Sequence, residues 1–323
     1  MQIGLTIDGG ATFEDLVREV RLGRDVGYRS LWLPESPGGG RRSRSRPGRR
    51  HRLFGFDSLT ALAALGHELG GVEVGTCVLP TYPRHPMQLA TQALTARAAL
   101  AGGLALGIGV SHRHIVEDQW GYTYDRNATR MREYVEVLNQ LMGQGTVDVD
   151  GETVQAHGSL GIPFEPVPLL VAALGPRMLE IAGRHADGVI SWMTGPQALA
   201  GHVVPRLTEA AQAAGRPTPR VVASLPVCVS DDVDAARRLA ERMFVIYGSL
   251  PNYRRVLARD GAEHAGQIAL VGTEADIRDQ ISELERIGIT DLNALVIGDD
   301  ESRTRAHALL PALSEASHIR ERV

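Results

Sequence analysis

Short apolar runs alternate with longer amphipathic stretches along almost the whole chain, and this alternation restricts the fold more than any other feature. Strands are predicted at 3–7, 31–33, 72–79, 104–110, 168–172, 188–192, 221–229 and 292–297. Helical patterns fall between them. Thr12 caps a helix that carries Leu16, Val17 and Val20 at helical spacing, and Asp57 opens another through Ala61, Leu62 and Leu65. Pro86 occupies the first turn of a helix reaching about Leu100, and 130–141 is a strong helix. Later helices are predicted at 176–185, 196–214, 233–248 and 275–287, the last with Ile277, Ile281, Leu284 and Ile287 on one face. Eight strand–helix pairs predict an α/β fold, a single closed (β/α)8 TIM barrel whose functional residues lie on the loops after the strands. A doubly wound open sheet is the competing architecture. It needs a G-x-G-x-x-G turn after the first strand, and Gly9-Gly10-Ala11 does not supply one.

Two segments interrupt the pattern. VDVDGETV at 147–154 reads as a β-hairpin turning at Asp150-Gly151, an insertion at about 146–160. GGGRRSRSRPGRRHR at 38–52 carries seven arginines and no large apolar residue, so it cannot bury enough surface to fold by itself. It sits in a loop at about 37–53, after the second strand. Three readings fit it: a solvated surface loop, a shifted reading frame in a GC-rich gene, and a lid gripping an anionic cofactor. With these two insertions, residues 1–323 are expected to form one domain.

Composition removes several function classes. The net charge is −4, which argues against nucleic acid as the partner, and all 34 basic residues are arginine. Two cysteines, Cys77 and Cys228, exclude a disulfide framework and a cysteine-based zinc site. The first residues read as a strand rather than a secretory signal, and no run approaches the ~18 apolar residues of a membrane span. The expectation is a cytoplasmic protein acting on a small molecule, with no membrane partner.

Four constellations could carry chemistry. LGIGVSHRH at 106–114 ends the fourth strand; Gly107 and Gly109 let a flat ring approach the backbone, and His112 and His114 follow at the rim. Tight strand packing with two exposed histidines explains the same pattern. His-x-His can bind metal, but no matching set of ligands is present, so no metal site is expected. VGTCVLPTYPRHP at 74–86 is a strand running into three prolines, an irregular strand end or a rigid loop. VAALGPRM at 171–178 starts a helix at Gly175-Pro176; its free amides and dipole favour an anion, with Arg177 adding charge. SWMTGP at 191–196 repeats the Gly-Pro helix start beside Thr194 and Trp192. Two such starts suggest a phosphate-bearing ligand, although either could be an ordinary βα loop. No Gly-x-Ser-x-Gly, Cys/His pair or carboxylate dyad stands out, and an enzyme without its own nucleophile commonly relies on a cofactor.

The segments IGLTIDGG (3–10), SLWLPE (30–35), GTCVLPTYPRHP (75–86), LGIGVSH (106–112), YDR (124–126), MREY (131–134), AALGPR (172–177), ADG (186–188) and WMTGP (192–196) together resemble the luciferase-like monooxygenase superfamily. Within it they resemble the deazaflavin branch, the actinobacterial oxidoreductases that use coenzyme F420. The resemblance runs from residue 1 to about 310, outside the Arg-rich segment. It implies a (β/α)8 barrel with insertions that assembles as a homodimer. It implies a non-prolyl cis peptide at Cys77–Val78 beneath the cofactor ring, with Gly107, Gly109 and Val110 lining that ring. It places Ala173, Leu174, Gly175, Pro176 and Arg177 around the cofactor phosphate, assisted by Thr194 and Gly195. By the same resemblance His112 is the proton donor or substrate binder and Glu35 lies near the ring, with the Arg-rich segment standing where relatives have the loop after Ser36. The implied activity is hydride transfer between the deazaflavin and a small organic substrate. An FMN-dependent two-component monooxygenase, and a flavin- or deazaflavin-binding protein without turnover, are the alternatives.

Overall fold

Twelve strands are present: β1 (Gln2–Thr6), β2 (Ser30–Leu33), β3 (Glu73–Thr76), β4 (Leu79–Pro80), β5 (Leu104–Gly109), β6 (Thr146–Asp150), β7 (Gln155–Ser159), β8 (Leu169–Ala172), β9 (Gly188–Trp192), β10 (Arg220–Val229), β11 (Leu270–Gly272) and β12 (Asp291–Val296). The computed structural model describes residues 1–7, 12–35, 55–163 and 165–320, with side chains through 314. Its main sheet runs β11-β10-β12-β1-β2-β3-β5-β8-β9, with β4 on β5 and β9 also pairing with β10. The order therefore returns on itself through eight strands, the (β/α)8 barrel expected from the alternation. Those eight are the eight read from the sequence. The Arg-rich stretch at 38–52, with the readings offered for it, lies outside the described residues.

The chain divides into two compact units, one of Met1–Thr6, Gly23–Leu31 and Leu170–Val323, the other of Ile7–Leu22 and Trp32–Leu169. In the first, Ile3, Val222, Leu225, Leu292 and Ala294 are buried on parallel strands paired in register, with Ile3 opposite Leu292 and Leu225 opposite Ala294. A short polar chain runs through this core. Thr6 Oγ1 donates to Asn293 Oδ1 at 2.7 Å, and Asn293 Nδ2 donates to Ser224 Oγ at 3.0 Å. The buried carboxylate of Asp291 is gripped by Arg220 at 2.9 and 2.6 Å, which locks β12 to β10. β10 spans ten residues, long enough for its end to carry β11 as well, Val227 opposite Leu270 and Val229 opposite Gly272. Sequence reading missed β11 because three residues show no period.

In the second unit Trp32 is fully buried and lies against Gly75, where an added Cβ would sit 2.4 Å from the indole. Thr12 and Asp15 cap the helix Phe13–Asp25 reciprocally, each side chain taking the other's amide. Asp57 caps Ser58–Ala64 by accepting from the Thr60 amide at 2.8 Å. The hairpin is present: β6 and β7 pair antiparallel from Thr146↔Ser159 to Asp150↔Gln155, with the turn at 151–154.

Three predicted elements are interrupted. The strand at 72–79 breaks into β3 and β4 around a cis Cys77–Val78 peptide. The helix at 196–214 is Pro196–Ala198 and Val204–Ala213 joined by a π-helical turn, Leu199–Val203. The helix at 233–248 stops at Phe244 and tightens into a 3₁₀ turn, Val245–Ser249. Helices Arg113–Asp118, Pro251–Arg259 and Asp300–Arg320 were not predicted.

Candidate functional site

The predicted residues fall in both units and are taken within each. In the second unit the centre is the broken strand. Leu33 O accepts from the Cys77 amide at 3.1 Å, and the Cys77–Val78 bond that follows is cis, as the resemblance implied. Thr76 Oγ1 donates to Gly107 O at 2.8 Å and accepts from the Gly107 amide at 2.9 Å, so β3 and β5 meet through one buried hydroxyl. A Cβ on Gly107 would lie 2.1 Å from Thr76 O and 3.1 Å from Val78 Cγ1. Gly107 is thus demanded by strand approach in its own right, and Cys77, Val78 and Gly107 are brought together. Gly109 is buried and its carbonyl accepts from the Thr81 amide at 2.9 Å; Val110 is half-buried at the strand end.

Beyond Val110 the backbone turns sharply. Ser111 has φ 60°, and Tyr124 Oη donates to its carbonyl at 3.1 Å. His112 follows, half-buried, as the N-cap of Arg113–Asp118; its ring stacks on exposed His114 at 5.8 Å and 7°. Burial, then the neighbouring His114, lowers the His112 pKa below the ordinary histidine value. The imidazole is therefore neutral near pH 7.

Glu35 is held tightly. Arg84 donates to both of its oxygens, Nη1 to Oε1 at 2.6 Å and Nη2 to Oε2 at 3.0 Å, and the Ser58 amide adds a bond at 3.1 Å. Arg84 also binds Asp57, and Tyr134 Oη donates to its carbonyl at 3.1 Å. Burial works against the Arg84 charge, but Glu35 and Asp57 outweigh it and raise the guanidinium pKa. This geometry makes Glu35 an anchor for the 82–86 loop. Sequence reading missed Arg84, although it stands in the same PRHP motif that was singled out.

In the first unit, Gly175 precedes the helix Pro176–His185 with no side chain capping it, and Gly175, Pro176 and Arg177 are all exposed. Ala173 is buried, and the carbonyl of Leu174 takes a hydrogen bond from His202 Nε2 at 3.0 Å. His202 is itself buried within the π-helical turn, so it fixes the tail of β8 from behind. Thr194 and Gly195 both have hydrogen-bond partners within the chain. Thr194 is buried and donates to Trp192 O at 3.2 Å. The helix start after Gly195 is filled by Asp260, whose Oδ2 accepts from the Gly195 amide at 3.0 Å and Oδ1 from the Ala198 amide at 2.9 Å. A carboxylate of the chain takes the place there of an external anion. Asp260 comes from 65 residues away, so no local signal announced it.

A ring cofactor with a phosphate tail needs open amides for the phosphate and close-lying backbone for the ring. The uncapped helix start at Gly175–Arg177 meets the first requirement. At Gly107 the place of a side chain is already taken by Thr76 O and Val78 Cγ1, so this glycine serves the approach of the two strands.

The profile of the luciferase-like monooxygenase family matches residues 1–291. A 5,10-methylenetetrahydromethanopterin reductase of Archaeoglobus fulgidus is 24% identical over 94% of this chain and 96% of its own. An F420-dependent glucose-6-phosphate dehydrogenase of Kineococcus radiotolerans is 31% identical, over 60% of this chain and 59% of its own length. Among solved structures, the EDTA monooxygenase of Chelativorans sp. BNC1 superposes with a TM-score of 0.80 at 14% identity, covering 98% of this chain and 94% of that one. The chain belongs to the luciferase-like monooxygenase family, whose members are oxidoreductases.

Proposed function

We propose that this luciferase-like family member is an oxidoreductase that transfers a hydride between coenzyme F420 and a small organic substrate. The observation that carries the choice of cofactor is the 31% identity to an F420-dependent dehydrogenase; the open helix start at Gly175–Arg177 supports it as a phosphate seat. Ala173 to Arg177 would hold that phosphate, and Cys77, Val78, Gly107, Gly109 and Val110 would lie along the ring. When bound, a deazaflavin supplies a carbon that gives or takes a hydride.

The chain's own contribution is position and proton handling. A neutral His112 suits the oxidising direction, in which it takes the hydroxyl proton as the substrate carbon loses its hydride. General-base assistance of this kind is worth about 10²–10⁴-fold. Glu35, tied to Arg84, keeps the 82–86 loop in place. Thr194 and Gly195 would act through the Asp260-capped helix start, without touching the phosphate.

The deciding experiment titrates the protein with oxidised F420 and with FMN in parallel by fluorescence. Binding of F420 alone supports the proposal, and preference for FMN moves the chemistry to a two-component monooxygenase. Stoichiometric binding without turnover on any acceptor leaves a cofactor-binding protein. Replacing His112 by Ala should slow turnover and leave F420 affinity unchanged.

A further inference from the structure

The geometry points to a second binding site, for a small carboxylate on a flat apolar body, in a cavity of about 500 Å³ between the 82–86 loop and the hairpin turn. Its volume falls in the range of small-molecule sites. Tyr82 and Tyr122 form one wall, their rings 6.1 Å apart and tilted by 42°, with Pro83 and Pro86 beside them. The turn at 151–155 also lines it.

The cations lining the cavity are not equivalent. Arg84 is saturated by Glu35 and Asp57. His85 Nε2 is committed to Gln155 O at 3.0 Å. Arg130 has no carboxylate partner among the described residues, and its Nε is buried without a hydrogen bond. Its guanidinium lies 4.6 Å over the Tyr82 ring. Stacking by its face leaves the in-plane N–H donors of a guanidinium free for a planar oxyanion. Glu152 also borders the cavity and is paired with Arg126 at 3.4 Å. Among the described residues lining the cavity, Arg130 alone of the arginines lacks a carboxylate, and beside Glu152 it suits a single negative charge, not a phosphate dianion.

The turn that closes the cavity is pre-set. Buried Glu133 accepts from the amides of Glu152, Thr153 and Val154 at 3.0, 2.8 and 3.1 Å. A wall fixed before binding lowers the ordering cost of the ligand.

Calorimetric titration of the cofactor-free protein with benzoate, acetate and benzamide tests this site independently of the proposed hydride chemistry. Benzoate should bind, acetate more weakly, and benzamide not measurably. Arg130→Gln should weaken benzoate at least about tenfold, the loss of a charged hydrogen bond. Tyr122→Ala should weaken benzoate and leave acetate unchanged. Equal binding of benzoate and benzamide by the wild-type protein overturns the site. So does failure of millimolar benzoate to bind, or unchanged benzoate affinity in a folded Arg130→Gln variant.

Discussion

Glu133 gives the sharpest quantitative test of how the hairpin is held. Glu133 is 1% exposed on the helix Asn127–Gln144, and its two carboxylate oxygens divide the turn between them. Oε1 takes the Glu152 amide at 3.0 Å and Arg132 Nη2 at 3.2 Å. Oε2 takes the Thr153 amide, the Thr153 hydroxyl and the Val154 amide at 2.8, 2.7 and 3.1 Å. In Glu133→Gln the amide oxygen can replace Oε2, but the new NH₂ then faces the Glu152 amide and Arg132, all donors. One buried amide left without an acceptor costs about 1–3 kcal/mol. Glu133→Ala removes every acceptor, and at about 1–3 kcal/mol for each buried donor left unsatisfied it is expected to cost more than Glu133→Gln. Burial raises the pKa of Glu133, yet the Thr153 hydroxyl and the turn amides outweigh it and hold it below the ordinary glutamate value. A depressed folded pKa means this stabilisation is present above the unfolded pKa of about 4.3 and is lost as pH falls through the lower folded value. The gap between wild type and Glu133→Gln should therefore be full at pH 7 and close progressively below about pH 4.3. Urea unfolding at neutral and acid pH measures the gap, and hydrogen exchange at Glu152, Thr153 and Val154 shows whether the loss is local to the turn. Equal stability at pH 7, or a gap that widens on acidification, would refute the reasoning.

Arg84→Met leaves Glu35 and Asp57 without their shared cation, and should cost about 3–5 kcal/mol, read as a lowered thermal midpoint. Asp260→Ala uncaps the helix at Gly195; a loss of about 0.5–2 kcal/mol and faster exchange of the Gly195 and Ala198 amides are expected. Gly107→Ala places a methyl group 2.1 Å from Thr76 O. Overpacking of this kind costs about 1–3 kcal/mol, and the same variant should lose F420 affinity in the fluorescence titration.

Much of this chain is legible residue by residue. Period and punctuation alone located the eight barrel strands, because a strand buried on both faces is a short apolar run between turn residues whatever surrounds it. Asp57 as a cap, Pro86 and Pro176 at first helical turns, and the hairpin at 147–154 are equally local, since each needs only its own neighbours to act. The candidate site divides along the same line. The open helix start at Gly175–Arg177 could be read directly, and the motif resemblance placed the cis bond at Cys77–Val78. Glu35, Gly195 and Glu133 could not be read in the same way, because what each does depends on a partner brought in from a distance: Arg84, Asp260 and the hairpin turn. The two Gly-Pro helix starts show the difference most plainly. They are alike in sequence, but one faces solvent and the other closes on Asp260 from 65 residues away. Propensity and pattern fix what a backbone amide can do. Only the folded chain decides which carboxylate reaches it.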